Sequence, residues 1–237
     1  MVREGRRVVL MNSEFKGFGK DALPFLKALG FHQSREWFQE NRGLFERELR
    51  EPFGDLVETL AERFSALGLG LKGDRKKSMF RITRDVRFAK DKRPYNQHLS
   101  AILSPDGTKT SEGVLFVYIG IDRCFAGLAW WQSRPELLQA MRNAVVARPE
   151  EFRAMVDALR RNGLELGDDE RLKRLPRGFE RVADADLGEA VRNRHFLVRH
   201  AIDPADIHSA ELVDELVNFT LRAKPLLDWG RAIEGRI

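Results

Sequence analysis

The spacing of apolar residues changes period along this chain of 237 residues, and that change constrains its fold more than any other feature. Phe53, Leu56, Leu60, Phe64 and Leu67 recur at three- and four-residue steps, the stripe of one helix face. From Met79 the step becomes two. Phe80, Ile82, Val86 and Phe88 share one parity, while Arg81, Thr83, Asp85 and Arg87 share the other. This predicts a strand over Phe80–Phe88 with an apolar face and a charged face. Further strands are expected near Gln97–Leu103, Val114–Ile121 and Cys124–Trp131, the last two as a hairpin about Asp122-Arg123. Strands joined by short turns imply antiparallel pairing.

Helical signals flank this region. A helix from Asp21 to Leu29 carries Pro24 early and meets Gly30 at its end; Ser34 is placed to cap a second, Arg35–Arg50, and Pro52 opens a third that stops at Gly68. Later come Pro135–Ala147, Pro149–Arg161 and a helix capped by Ser209 that presents Leu212, Leu216, Phe219 and Ala223. His195–Ala201 reads as one more strand. Helices, then strands, then helices predict an α+β fold, a central antiparallel sheet with N- and C-terminal helices packed on it. With no repeat, low-complexity tract or linker, we expect one domain over 15–232, an extension over 1–14 and a tail over 233–237.

The charge is unevenly spread. Arg75, Lys76, Lys77, Arg81, Arg84, Arg87, Lys90, Lys92 and Arg93 stand against Asp85 and Asp91, so this stretch carries 9 − 2 = +7 of a net +5. The remainder is 5 − 7 = −2. Such a cluster attracts phosphates, carboxylates or nucleic-acid backbones, or is merely a solvated charged segment. The single cysteine, Cys124, excludes an internal disulfide and suits a reducing compartment. The N-terminal apolar run is too short for a signal-peptide core, and no stretch has the roughly 18 apolar residues of a membrane span. The expected location is the cytoplasm, with no membrane partner.

Within the cluster, Arg81, Asp85 and Arg87 share the polar parity, where Asp85 can fix a guanidinium and leave its other donors for an anion. Arg84 falls on the apolar parity, so it is either re-aimed by a bulge or paired with Asp85, Asp91 or Glu36. Lys90, Lys92 and Tyr95 add two cations and a phenol, Arg35 opens a helix, and Lys173 belongs to a second basic group with Arg171, Arg174 and Arg177. All are candidate ligand-binding residues. The candidate acid–base groups are Asp85, Asp91 and His98. The five histidines lack metal-ligand spacing, so no metal is expected. No Walker loop, dinucleotide glycine fingerprint or Gly-x-Ser-x-Gly is present, so no cofactor is expected.

The run Arg81-Ile82-x-Arg84-Asp85-x-Arg87-Phe88-x-Lys90-Asp91-Lys92-x-Pro94-Tyr95 resembles the hallmark of the family called domain of unknown function 2461. Phe15-x-Gly17-Phe18, Arg35-Glu36-Trp37-Phe38, Pro176-Arg177-Gly178-Phe179 and Arg222-Ala223-Lys224-Pro225-Leu226 agree with it, over nearly the whole chain. Ala89 and Asn96 stand where the family usually has Ser and Lys, and Phe125–Trp130 is poorer in glycine than usual. The resemblance implies kinship and fold. It implies no established activity.

Three functions remain open: a binding module for a phosphate- or carboxylate-bearing ligand, an enzyme on an anionic substrate with an aspartate base, or a nucleic-acid-binding protein. The anionic small molecule is preferred. The acidic remainder of the chain and the thin interleaving of aromatic and basic residues argue against nucleic acid. Oligomeric state is not legible.

Overall fold

The computed structural model describes residues 14–167 and 170–237, and the extension expected at 1–14 lies, Glu14 apart, outside the described residues. Helix α1 spans Ala22–Phe31. It passes through Gly30 rather than stopping there, because the glycine makes room for a neighbour: a β-carbon would stand 2.7 Å from Nε2 of Gln97. Ser34 caps α2, Arg35–Glu40, its hydroxyl accepting from the Trp37 amide. The expected single helix to Arg50 is broken after Glu40. A short α3, Arg42–Phe45, leads through a π-helical turn, Glu46–Arg50, straight into α4, Glu51–Ala66. The wider turn places Pro52, which has no amide hydrogen to give, in the first turn of α4, where none is needed.

Four antiparallel strands form one sheet in the order β1-β2-β3-β4: β1 His98–Leu103, β2 Val114–Gly120, β3 Cys124–Trp130 and β4 Phe196–Ile202. The strand expected over Phe80–Phe88 is absent. Met79 makes one bridge to Ala101, and Thr83 makes another to Tyr95. Beyond these the chain leaves the sheet, because its aspartates compete with the ladder. Asp85 accepts from the amide of Arg87 and Asp91 from that of Arg93, each two residues on, which curls the backbone into Asx turns. The fourth place in the sheet goes to β4, after three intervening helices: α5 Pro135–Ala147, α6 Pro149–Arg161 and α7 Ala185–Val191.

The last helix, α8, spans Leu212–Glu234. Ser209 does not cap it; its hydroxyl accepts from the Glu211 amide in a local turn ahead of the helix. The tail expected from 233 is also shorter, since Ile233 is buried in the core. Leu99, Ala101, Leu115, Val117, Ile119, Ala126, Leu128 and Val198 point from one face of the sheet into that core, against α4 and α8. The chain is thus a single α+β domain, as the change of period implies. No described helix is long and apolar enough to cross a membrane.

Candidate functional site

Among the described residues, α4 and α8 pack against the core face of the sheet, and the chemistry collects on the second face. Along β1 the residues of that parity are His98, Ser100 and Ile102; on β2 they are Phe116 and Tyr118, and on β3 Phe125, Gly127 and Ala129. Beside β1 runs the cationic segment. It is tied to the strand by Phe80 N–H donating to the Ser100 carbonyl and Ile102 N–H donating to that of Ser78.

From Ile82 the segment makes a loop with a two-rung neck. Asn96 N–H donates to the Ile82 carbonyl and Arg84 N–H to that of Pro94, both at 2.8 Å. Side chains hold the tip. Arg84 Nη1 donates to Asp91 at 2.8 Å and to the Arg93 carbonyl, Arg93 grips the same Asp91, and Arg87 is bidentate on Asp85. Lys92 donates to the carbonyls of Val86 and Arg87. The arginine on the unexpected parity is therefore paired with Asp91, one of the three carboxylates the sequence offered. Its side chain is 27% exposed.

Where loop and strand meet, a cleft of about 390 Å³ opens, lined by Arg81, Arg84, Asp85, Asn96, His98 and Ser100 among others. Arg84 enters it held at one end only: its Nη1 is engaged, while Nε and Nη2 have no partner among the described residues. The Arg81 guanidinium likewise has none. Burial keeps the His98 imidazole below its ordinary value, against the pull of Asp122, and Arg123 and Arg84 lower it further. The His98 ring is stacked on Tyr118 at 4.4 Å. The bond from Arg87 lowers the Asp85 carboxyl, and those from Arg93 and Arg84 hold Asp91 well below the carboxylate range. Carboxylates so held are poor bases at neutral pH.

The other expected site residues lie elsewhere. Tyr95 is buried, its ring stacked on Phe38 at 4.5 Å. Arg35 is exposed on α2, Lys90 on the loop tip and Lys173 between α6 and α7, and none of them lines the cleft. Arg171 of the second basic group is taken up by Glu189 and Asn193.

Sequence reasoning missed the continuation of this surface. Beyond Phe80, which borders the cleft, a larger hollow of about 800 Å³ lies over Phe116 and Phe125. Cationic groups sit on its rings: Lys109 over Phe80 at 5.4 Å, Arg123 over Phe125 at 5.2 Å and over Tyr118 at 5.5 Å, and Arg199 over Phe125 at 5.9 Å. Phe116, Tyr118 and Phe125 read in the sequence as members of apolar strands. The available signal was parity, since aromatic side chains occupy the outward positions of both β2 and β3.

A four-stranded antiparallel sheet with helices on one face and a cationic cleft on the other defines an α+β domain. The chain belongs to the family of conserved hypothetical proteins called domain of unknown function 2461, whose profile matches residues 21–229. No curated protein matches it. Among solved structures it is similar to an uncharacterized protein from Methanothermobacter thermautotrophicus at 17% identity and a TM-score of 0.36, over 76% of this chain and 98% of that one.

Proposed function

We propose that this protein binds a small phosphate- or carboxylate-bearing ligand in the cleft between the loop and β1, in the reducing cytoplasm that its one buried thiol suits. The observation that carries the reading is the half-engaged guanidinium of Arg84. Asp91 and the Arg93 carbonyl fix its orientation through Nη1, while Nε and Nη2 keep their donors for a planar or tetrahedral anion. A group already held loses little side-chain freedom on binding. Arg81 supplies a second cation, and Asn96, Ser100 and His98 supply polar contacts. A catalytic reading is weaker, because the aspartates expected as bases are already engaged by arginines.

The test is thermal stability of wild type, Arg84→Lys and Arg84→Met with phosphate, sulfate and a panel of phosphorylated and carboxylated metabolites. A ligand at 100 times its Kd stabilises by about 2.7 kcal/mol. We expect such a shift for wild type and a tenfold or greater loss of affinity in Arg84→Lys, which keeps the charge but not the fork. An anion beside His98 also favours the protonated imidazole, so a proton NMR titration should show its pKa rising on binding. A wild type that no anion stabilises would remove this function.

A further inference from the structure

We propose that the open face of the sheet holds the flat aromatic body of the ligand whose anionic group enters the Arg84 cleft, so that the ligand is an aromatic phosphate of the nucleoside-monophosphate kind. This rests on the cleft being the anion end. The floor of the hollow is apolar: Phe116 and Phe125 are half-buried with ring centroids 5.8 Å apart, and Tyr118 stacks on Phe125 at 5.2 Å. Gly127, opposite both Phe116 and Arg199 in the register, puts no side chain into that floor. The rim is cationic. Lys109, Arg123, Arg134 and Arg199 line the hollow, where Asp122 engages Arg123 and both Glu112 and Glu234 engage Arg134.

An apolar hollow with a cationic rim complements a molecule that is aromatic in its body and negative in its charge. A hydrophobic peptide would leave the Lys109 ammonium and the Arg84 cleft unanswered, and an inorganic anion would leave the floor uncovered. Guanidinium planes laid on aromatic rings also offer a second stacking surface to a heterocycle. The volume of about 800 Å³ lies within the range of roughly 300–1,000 Å³ usual for small-molecule sites. The two compartments are within reach of one small molecule. Phe80 borders both, and Ser100 at the cleft and Ile102 at the hollow are one two-residue step apart on β1, about 6.7 Å.

The test compares phenyl phosphate, adenosine monophosphate, glycerol phosphate and inorganic phosphate by calorimetry, with the fluorescence of Trp131, which lines the hollow, as a second readout. The aromatic phosphates should bind at least about tenfold tighter than glycerol phosphate, as ring stacking provides. Gly127→Val should abolish that advantage and leave inorganic phosphate unaffected. A β-carbon there meets only Val198 O at 3.6 Å and Arg199 Cγ at 4.0 Å, so the variant fills the hollow without disturbing the strand. Phe116→Leu, a milder change, should act in the same direction.

Equal affinity for all phosphates, or an aromatic preference that survives Gly127→Val, overturns this proposal while the anion cleft stands. Aromatic binding that Gly127→Val removes but Arg84→Met does not touch overturns the proposed anion cleft and, with it, the shared ligand. Wild type that binds no phosphate overturns both. Single-stranded oligonucleotides that bind far tighter than the monophosphate, with a steep salt dependence, would replace the small ligand by nucleic acid.

Discussion

A β-carbon on Gly230 would stand 2.0 Å from Cε2 of Trp130, whose ring packs against α8 and donates its indole N–H to the Leu226 carbonyl. Trp130 is 1% exposed and ends the strand that carries Phe125 and Gly127, so neither partner has room to retreat. Gly230→Ala should therefore destabilise the protein by about 1–3 kcal/mol, the usual result of overpacking a core, where an alanine in an exposed helix would help. Urea unfolding measures it; an unchanged midpoint would show that the tryptophan can move. At this scale the sequence was informative where chemistry broke a pattern and silent where geometry decided. Arg84 stood out because a charge on an apolar parity demands a partner. Gly230, Gly30 and Gly127 look alike in sequence, yet the first two admit a close neighbour and the third leaves a hollow. Only the fold distinguishes them.

The loop between Thr83 and Tyr95 is held by a two-rung neck and by aspartates shared among arginines, with little apolar packing; Phe88 at its tip is 96% exposed. Its order therefore depends on charge. The Asp91 carboxyl is depressed, chiefly by Arg93 and then by Arg84. A depressed carboxyl contributes its stabilisation above its unfolded pKa near 3.9 and loses it as pH falls from there towards the folded value. Asp91→Asn should reproduce the acid effect at neutral pH. Amide hydrogen exchange over residues 84–93 should quicken while that of β2 and β3 stays unchanged. Equal protection in the variant would mean that the backbone neck suffices. The same aspartates explain why the element was misread. Alternation of apolar and charged residues over Phe80–Phe88 does sort Ile82 inward and Arg81, Thr83 and Asp85 outward, but a strand also needs amides free to pair. Within this stretch the Arg87 amide is committed to Asp85, and just past it the Arg93 amide to Asp91.

Across the whole molecule, the cationic stretch is less bare than its composition suggests. Besides Asp85 and Asp91, Asp55 and Glu58 from α4 engage Arg75, so the local surplus falls from +7 to 7 − 2 = +5. A protein neutralising six or so phosphates loses about 10³ or more in affinity between 50 and 200 mM salt. With so many of its arginines already paired, this one should show no tight binding to generic duplex or single strands at physiological salt. Fluorescence anisotropy decides it, and submicromolar affinity with a steep salt slope would count against a small-ligand role. The fold class was readable because hydrophobic period reports local geometry; the hairpin Val114–Trp130 came out nearly residue for residue. The return of β4 to pair with β3 was beyond reach, since a short apolar run names no partner and three helices intervene.

The irregular segment beside β1 closes an edge. Lys72 and Ser104 exchange amide bonds just past β1, Phe80 N–H donates to the Ser100 carbonyl and Ile102 N–H to that of Ser78, so part of the outer edge of β1 is taken by the chain's own backbone. An uncovered edge strand invites another strand to pair, whether from a partner peptide or from a second misfolded copy. Where these bonds form the protein offers no such template, so a strand that would pair with β1 there must first displace the chain's own backbone, and shape and charge of the side chains matter the more.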